Sequence, residues 1–320
     1  MSGREPDVRR SFDLARVVIA GAPFLALGVF ALFEWADWGR PPDAKAEGGE
    51  KELAVWQGLI TAQVAVWAVL AGVGLRAMRE LDAHAEAWFV ESTEAWRARW
   101  RRETTWFLLF SYGVMVVLFV PSALGAEELR NPSILTGQEW KVPLLFVVAG
   151  VANFPFLFVL KRIQLCAVEE GGWSTSARDI ERIQVLRRQL RSATASLGTV
   201  IALFVIASGA LSDAVEAAGL KPLPDSAILV AGAWFTGVLA AIYLYVFTSL
   251  DGRARRFLEC AAPLPDPNPA AAEAFVASMT LRRELSAELE LGGDARKNLE
   301  GLIAVFSPLA AALLSRFGGL

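Results

Sequence analysis

Six stretches of the chain carry no charged residue: 17–33, 53–75, 104–126, 142–160, 192–212 and 226–250. Each is close to the roughly 20 residues that an α-helix needs to cross about 30 Å of hydrocarbon. Helices of water-soluble domains keep a polar face, so repeated uncharged runs of this length predict membrane spans. The segments flanking and joining the runs hold 4, 3, 6, 2, 7, 1 and 8 Lys+Arg in chain order. That rich–poor alternation is the pattern left when basic loops stay in the cytoplasm. The predicted fold is all-α. It is a polytopic membrane helix bundle whose six transmembrane helices form three outward hairpins, with helical cytoplasmic extensions and a C-terminal helical tail. Both termini are expected inside.

The boundaries follow from the same pattern. Residues 1–16 form a cytoplasmic amino terminus, and spans are expected at 17–35, 53–75, 104–124, 142–160, 192–212 and 226–250. Segments 76–103 and 161–191 are cytoplasmic helical loops, 251–269 is a Pro-rich linker and 270–320 a cytoplasmic tail. The outer loops carry 6 basic and 12 acidic residues, the inner segments 25 and 22. A basic inner face suits an anionic cytoplasmic leaflet. The interleaved acids argue against nucleic acid as a partner. Arg outnumbers Lys 25 to 6, a bias typical of high-GC bacterial genes, so the expected location is a bacterial inner (cytoplasmic) membrane. Arg9-Arg10-Ser11-Phe12 resembles a twin-arginine export signal, but no small-x-small cleavage site follows, and the run is expected to stay as span 1.

Local signals place the helices. Segment 76–103 lacks Pro and Gly, so spans 2 and 3 are expected to continue below the membrane as rods. Ser176-Ala177-Arg178-Asp179 reads as a capping box with Asp in place of Glu, starting a helix that runs unbroken into span 5. After Pro263, Pro265, Pro267 and Pro269, one helix is expected over 270–291, stopped by Gly292-Gly293, and a second from an Asp294 cap to Phe317. The second carries an apolar seam of Leu299, Leu302, Phe306, Leu309 and Leu313 at heptad spacing. Such a seam buries against a symmetry mate, the 270–291 helix or the 178–191 rod, and makes this helix the candidate for self-association. Its uncharged run, 301–315, contains Pro308 and is short for a span; a re-entrant or seventh span is the alternative. Trp35, Trp38, Trp56, Trp106 and Trp140 fall at span boundaries, as an aromatic belt requires. Trp96, Trp100, Arg97 and Arg101 form a cluster placed either on lipid headgroups or against neighbouring cytoplasmic helices.

No charge lies inside any of the six runs. Proton- and ion-coupled carriers generally bury a titratable or paired group at depth, so a proton-driven transporter, a voltage sensor and a retinal protein are disfavoured. Cys166, Cys260 and the lone His84 are too scattered for a zinc or haem site, and neither a metal nor a cofactor is expected. No P-loop, HExxH or GxSxG is present, and no catalytic residue is nominated. Asp251-Gly252-Arg253-Ala254-Arg255 resembles the opening of the CDP-alcohol phosphotransferase motif. That family spaces the two pairs one residue wider and follows them with a Gly and two further Asp, where this chain has Pro263 and Pro265. The segment is read instead as the basic stop-transfer end of span 6.

The remaining candidates are uncharged polar residues. Span 2 aligns Gln57, Thr61, Ala65, Ala68 and Gly72 on one face; span 3 has Ser111, span 5 Thr199. Span 4 places Asn153 beside Pro155, which leaves the Val151 carbonyl without its helical donor. Span 6 lines up Ala233, Gly237, Ala241 and Thr248. These residues either let helices pack closely or line a wet pathway. Three classes of function follow. The first is a homo-oligomeric channel- or pore-like protein passing ions or small solutes. The second is a non-conducting scaffold, effector or complex subunit that engages a cytoplasmic protein partner. The last is a lipid- or isoprenoid-modifying enzyme, for which no carboxylate or His cluster is visible.

Overall fold

The computed structural model describes residues 18–28 apart from 23 and 26, 50–88, 98, 100–109, 113, 141–168, 176–217, 225–263, 272–291 and 295–317. Most of spans 1 and 3, the outer loops and the 264–271 linker lie outside them, as do Trp96, Arg97 and Ser111. Every regular element among the described residues is helical. The six long helices are α1 Glu50–Trp88, α2 Lys141–Val168, α3 Ala177–Ala217, α4 Asp225–Ala261, α5 Ala272–Glu288 and α6 Ala295–Phe317. Among the described residues, four stretches are long and apolar enough to cross a membrane: Ala54–His84, Val148–Val168, Ala177–Ala214 and Ile228–Ala261. The chain is thus a helical protein of multi-pass membrane character.

α1 and α3, of 39 and 41 residues, reach about 60 Å at 1.5 Å per residue, twice the hydrocarbon thickness. α1 runs on past its uncharged run to Trp88, and α3 begins at Ala177, well before its own. The start of α3 is the capping box: Asp179 N donates to Ser176 O at 2.9 Å, and Ser176 N to Asp179 Oδ2 at 3.5 Å. α4 continues past Leu250 to Ala261, consuming the first half of the expected linker. Nothing breaks the helix before Pro263, and a proline disfavours helix in the residue ahead of it. α5 stops at Glu288, before the Gly pair, because Glu290 takes φ 53° and its amide closes a turn on Ala287 O at 3.0 Å.

Helix directions come from the contacts. Trp67 packs with Ala149 and Ala152, Gly74 lies against Pro155 and Phe156, and Asp82 meets Arg162 at 3.5 Å. Numbers rise together, so α1 and α2 run parallel. Arg187 meets Asp251, and Phe204 meets Phe235 edge-on, so α3 and α4 are antiparallel. The main core lies between α2, α3 and α4, where Leu160, Ile163, Ile183, Leu186 and Leu250 are fully buried. Trp56 is also buried, inside the protein rather than in an aromatic belt.

α6 does not sit below the bundle beside α5 or the 178–191 rod. Among the described residues its contact with α3 is the most extensive of any helix pair, and it also packs along α4. Its buried face is Val305, Pro308, Ala311 and Ala312, not the expected seam. Phe306 and Leu313 are exposed and Leu309 is half-buried; the side chains of Leu299 and Leu302 lie outside the described set. Small residues win this contact because three glycines of α3 and α4 face it, and large side chains would hold the backbones apart.

Candidate functional site: a buried polar seam and an ion cluster beneath it

Gln57 and Asn153 are buried, at 8% and 9% exposure, and a third amide that the sequence reading passed over, Gln63, is buried more deeply at 3%. Gln63 and Trp67 stand one turn apart on α1, and Trp67 packs between Ala149 and Ala152 of α2 and Val200 of α3. Asn153 follows Ala152, which packs on Trp67. Gln63 Nε2, Trp67 Nε1 and Asn153 Oδ1 are all buried and make no hydrogen bond. Two donors on α1 and one acceptor on α2 are therefore buried and unsatisfied. Leaving such a group unpaired costs about 1–3 kcal/mol in protein interiors, and hydrocarbon supplies no substitute partner.

The threonines behave differently. Thr61 Oγ1 donates to Gln57 O at 2.9 Å, Thr199 to Ala195 O at 2.9 Å and Thr248 to Leu244 O at 2.8 Å. Each hydroxyl is satisfied by its own helix. Thr199 and Thr248 are exposed, so the structure does not bring them together with Gln57 and Asn153. The small stripe of span 6, Ala233, Gly237, Ala241 and Thr248, also faces outward. Pro155 is buried against Gly74; a Cβ added to Gly74 would lie 2.8 Å from the proline Cβ and 2.9 Å from Phe156 Cε1. The missing side chain is what lets α1 approach the proline of α2.

Beyond the uncharged runs lies a cluster of charges around the buried Arg187 that local sequence patterns did not reveal. Arg187 Nη2 donates to Asp251 Oδ1 at 3.2 Å, and its Nη1 to Glu290 O at 2.9 Å. Arg191 Nη1 donates to Glu290 Oε2 at 2.8 Å. Gln184 Nε2 reaches Glu288 O at 3.1 Å, and Arg253 Nε donates to Ala167 O at 3.2 Å. The turn after α5 is thus clamped to α3 and α4. The clamp holds Glu290 in a left-handed backbone conformation that costs a non-glycine residue about 1–3 kcal/mol. Asp251 and Arg253 fill structural roles here, consistent with setting aside the phosphotransferase resemblance.

No protein-family profile matches the chain, and neither does any curated protein or solved structure.

Arg162 makes a second charged anchor. Its guanidinium lies 4.0 Å from the Trp100 ring centroid and 4.4 Å from that of Phe158, with Asp82 Oδ1 at 3.5 Å. Trp100 is therefore buried against α2 rather than spread on headgroups, while Arg101 is exposed. Cation–π contact with desolvated Arg is worth about 2 kcal/mol, enough to explain why the tryptophan turns inward. An apolar crevice of about 220 Å³ opens beside this anchor, lined by Phe107, Lys161, Ala241 and Tyr245 among others. It is separate from the amide seam, and its one cation, Lys161, faces Glu103 at 3.6 Å.

Proposed function

We propose that the protein is a homo-oligomeric, channel- or pore-like protein of a bacterial inner membrane that passes ions or small solutes without a buried titratable group. The observation that carries this reading is the set of unsatisfied polar atoms on Gln63, Trp67 and Asn153. Buried polar atoms are nearly always partnered by protein or ordered water, and at bilayer depth a transient water or solute is the partner left to them. Spans at the six uncharged runs and a cytoplasmic amino terminus remain part of the proposal. The basic inner segments support it. So does the parallel pair α1 and α2, since a chain joining parallel neighbours must return across the bundle, where the sequence puts span 3. The outward-facing Ala233, Gly237 and Ala241 are a surface on which like helices can approach closely.

The test is current across a planar bilayer containing the purified protein. Wild-type protein should give discrete conductances, and Asn153→Leu should lower them several-fold with oligomer mass unchanged. A silent wild-type bilayer overturns the reading. A specific observation favours one second reading, the scaffold with a cytoplasmic partner: α5 leaves Phe275, Val276, Met279 and Leu281 exposed and touches the bundle little. A silent bilayer together with a stoichiometric partner lost on Val276→Asp would establish it.

A further inference from the structure

We infer that α6 is itself a membrane-crossing helix, seated between α3 and α4, with its exposed apolar face against lipid hydrocarbon and the carboxyl terminus on the side opposite the end of α4 at Ala261. This does not depend on whether the protein conducts.

The register of the contact is the first argument. Ala304 and Ser307 lie against Gly198, and Ser315 lies against Gly209, an advance of eleven residues on each helix. α6 therefore runs parallel to α3 with a constant offset. That offset sets its uncharged run, 301–315, beside residues 195–209, inside the uncharged run 192–212 of α3. On α4 the order reverses: Leu309 meets Thr236, and Ala312 meets Gly232. Both partners belong to stretches apolar enough to cross a membrane. If they cross, a helix bound along them from one end to the other crosses with them.

The second argument is the treatment of Pro308. A proline inside a helix lacks the donor for the carbonyl four residues earlier, here Ala304. Ser307 Oγ donates to that carbonyl at 2.8 Å, and the next amide, Leu309 N, donates to Thr236 Oγ1 at 3.1 Å. Gly198 makes room at the same place, because a Cβ there would overlap Ala304 O. In water these groups need no protein partner; in hydrocarbon every loosened backbone group must find one.

The third argument is the face turned away from the groove. Ile303, Phe306, Leu313 and Leu314 are all exposed, with only Ala310 exposed between them. An uninterrupted apolar face is expected on a helix bordered by lipid. The run is about 22 Å long against about 30 Å of hydrocarbon. A short span of this kind is accommodated by local thinning and by long charged side chains at its ends that reach the interface, and Glu300 and Arg316 bracket it.

The test uses the full-length protein in sealed right-side-out membrane vesicles, with Cys166→Ala to leave one native thiol. Cys260, exposed at the end of α4, marks the inner side, and Gly319→Cys marks the carboxyl terminus in a Cys260→Ala background. A membrane-impermeant maleimide should label the two sites from opposite sides, one in sealed vesicles and the other only after permeabilisation. Labelling of both from the same side overturns the inference. A second variant, Gly198→Leu with Gly232→Leu, should fill the groove and lower the opposite-side labelling several-fold. Unchanged labelling in that variant would overturn the seating of α6 between α3 and α4.

Discussion

Arg187→Leu is expected to destabilise the protein by about 3 kcal/mol or more, the range found when one partner of a buried ion pair is removed. Arg187 is 6% exposed and bonds at once to the Asp251 carboxylate and the Glu290 carbonyl, 64 and 103 residues away in sequence. Its loss leaves Asp251 Oδ1 without its donor, with only Arg255 on the other oxygen at 2.8 Å, and releases the turn that keeps Glu290 left-handed. Removing both ends of the pair is a different matter. Arg187→Leu with Asp251→Leu leaves no orphaned charge between α3 and α4, and Glu290 keeps Arg191 at 2.8 Å. The double variant should therefore recover more than half of the loss, since apolar replacement of a whole buried pair is often neutral. Thermal unfolding in nanodiscs, followed by intrinsic fluorescence, reads both steps. Equal losses in the single and double variants would show that packing, not stranded charge, sets the cost.

Gly74→Leu is expected to cost about 1–3 kcal/mol, the usual penalty for overpacking a filled core. The added Cβ would lie 2.8 Å from Pro155 Cβ, an atom of a rigid ring, and 2.9 Å from the buried Phe156 ring. Neither can yield without moving α2, so the helices should part and Gln63, Trp67 and Asn153 should lose their present relation. Gly58→Leu on the same helix is the control. Nothing lies within 4 Å of a Cβ there, and a surface change of this kind stays within about 0.5 kcal/mol. Similar destabilisation by the two substitutions would remove the close approach at Pro155 from the account.

What was legible in the sequence was local. Four of the uncharged runs, the Ser176–Asp179 cap and the start of α6 at Ala295 each depend on residues within a few positions of one another, and among the described residues each appears where the pattern placed it. The rotation of a helix about its axis is not local. Gln57 and Thr61 share a face with Gly72, but the buried face of α1 also carries Trp56, Ile60, Gln63 and Trp67, and it is Trp67 that packs with Ala149, Ala152 and Val200. The same limit hid the partners of Arg187. α6 was masked for another reason. Its 15-residue run falls below the length expected of a span, and the glycines that receive it lie about a hundred and about eighty residues earlier in the chain.

The unsatisfied polar atoms of Gln63, Trp67 and Asn153 are expected to meet water in the working protein. Asn153→Cys in a Cys166→Ala, Cys260→Ala background measures this directly, using a small water-soluble methanethiosulfonate on intact membranes. The introduced thiol should react within minutes without detergent, and reaction should reduce conductance. Reaction only after solubilisation would mean that the seam is dry packing, and the channel-like reading would fall with it.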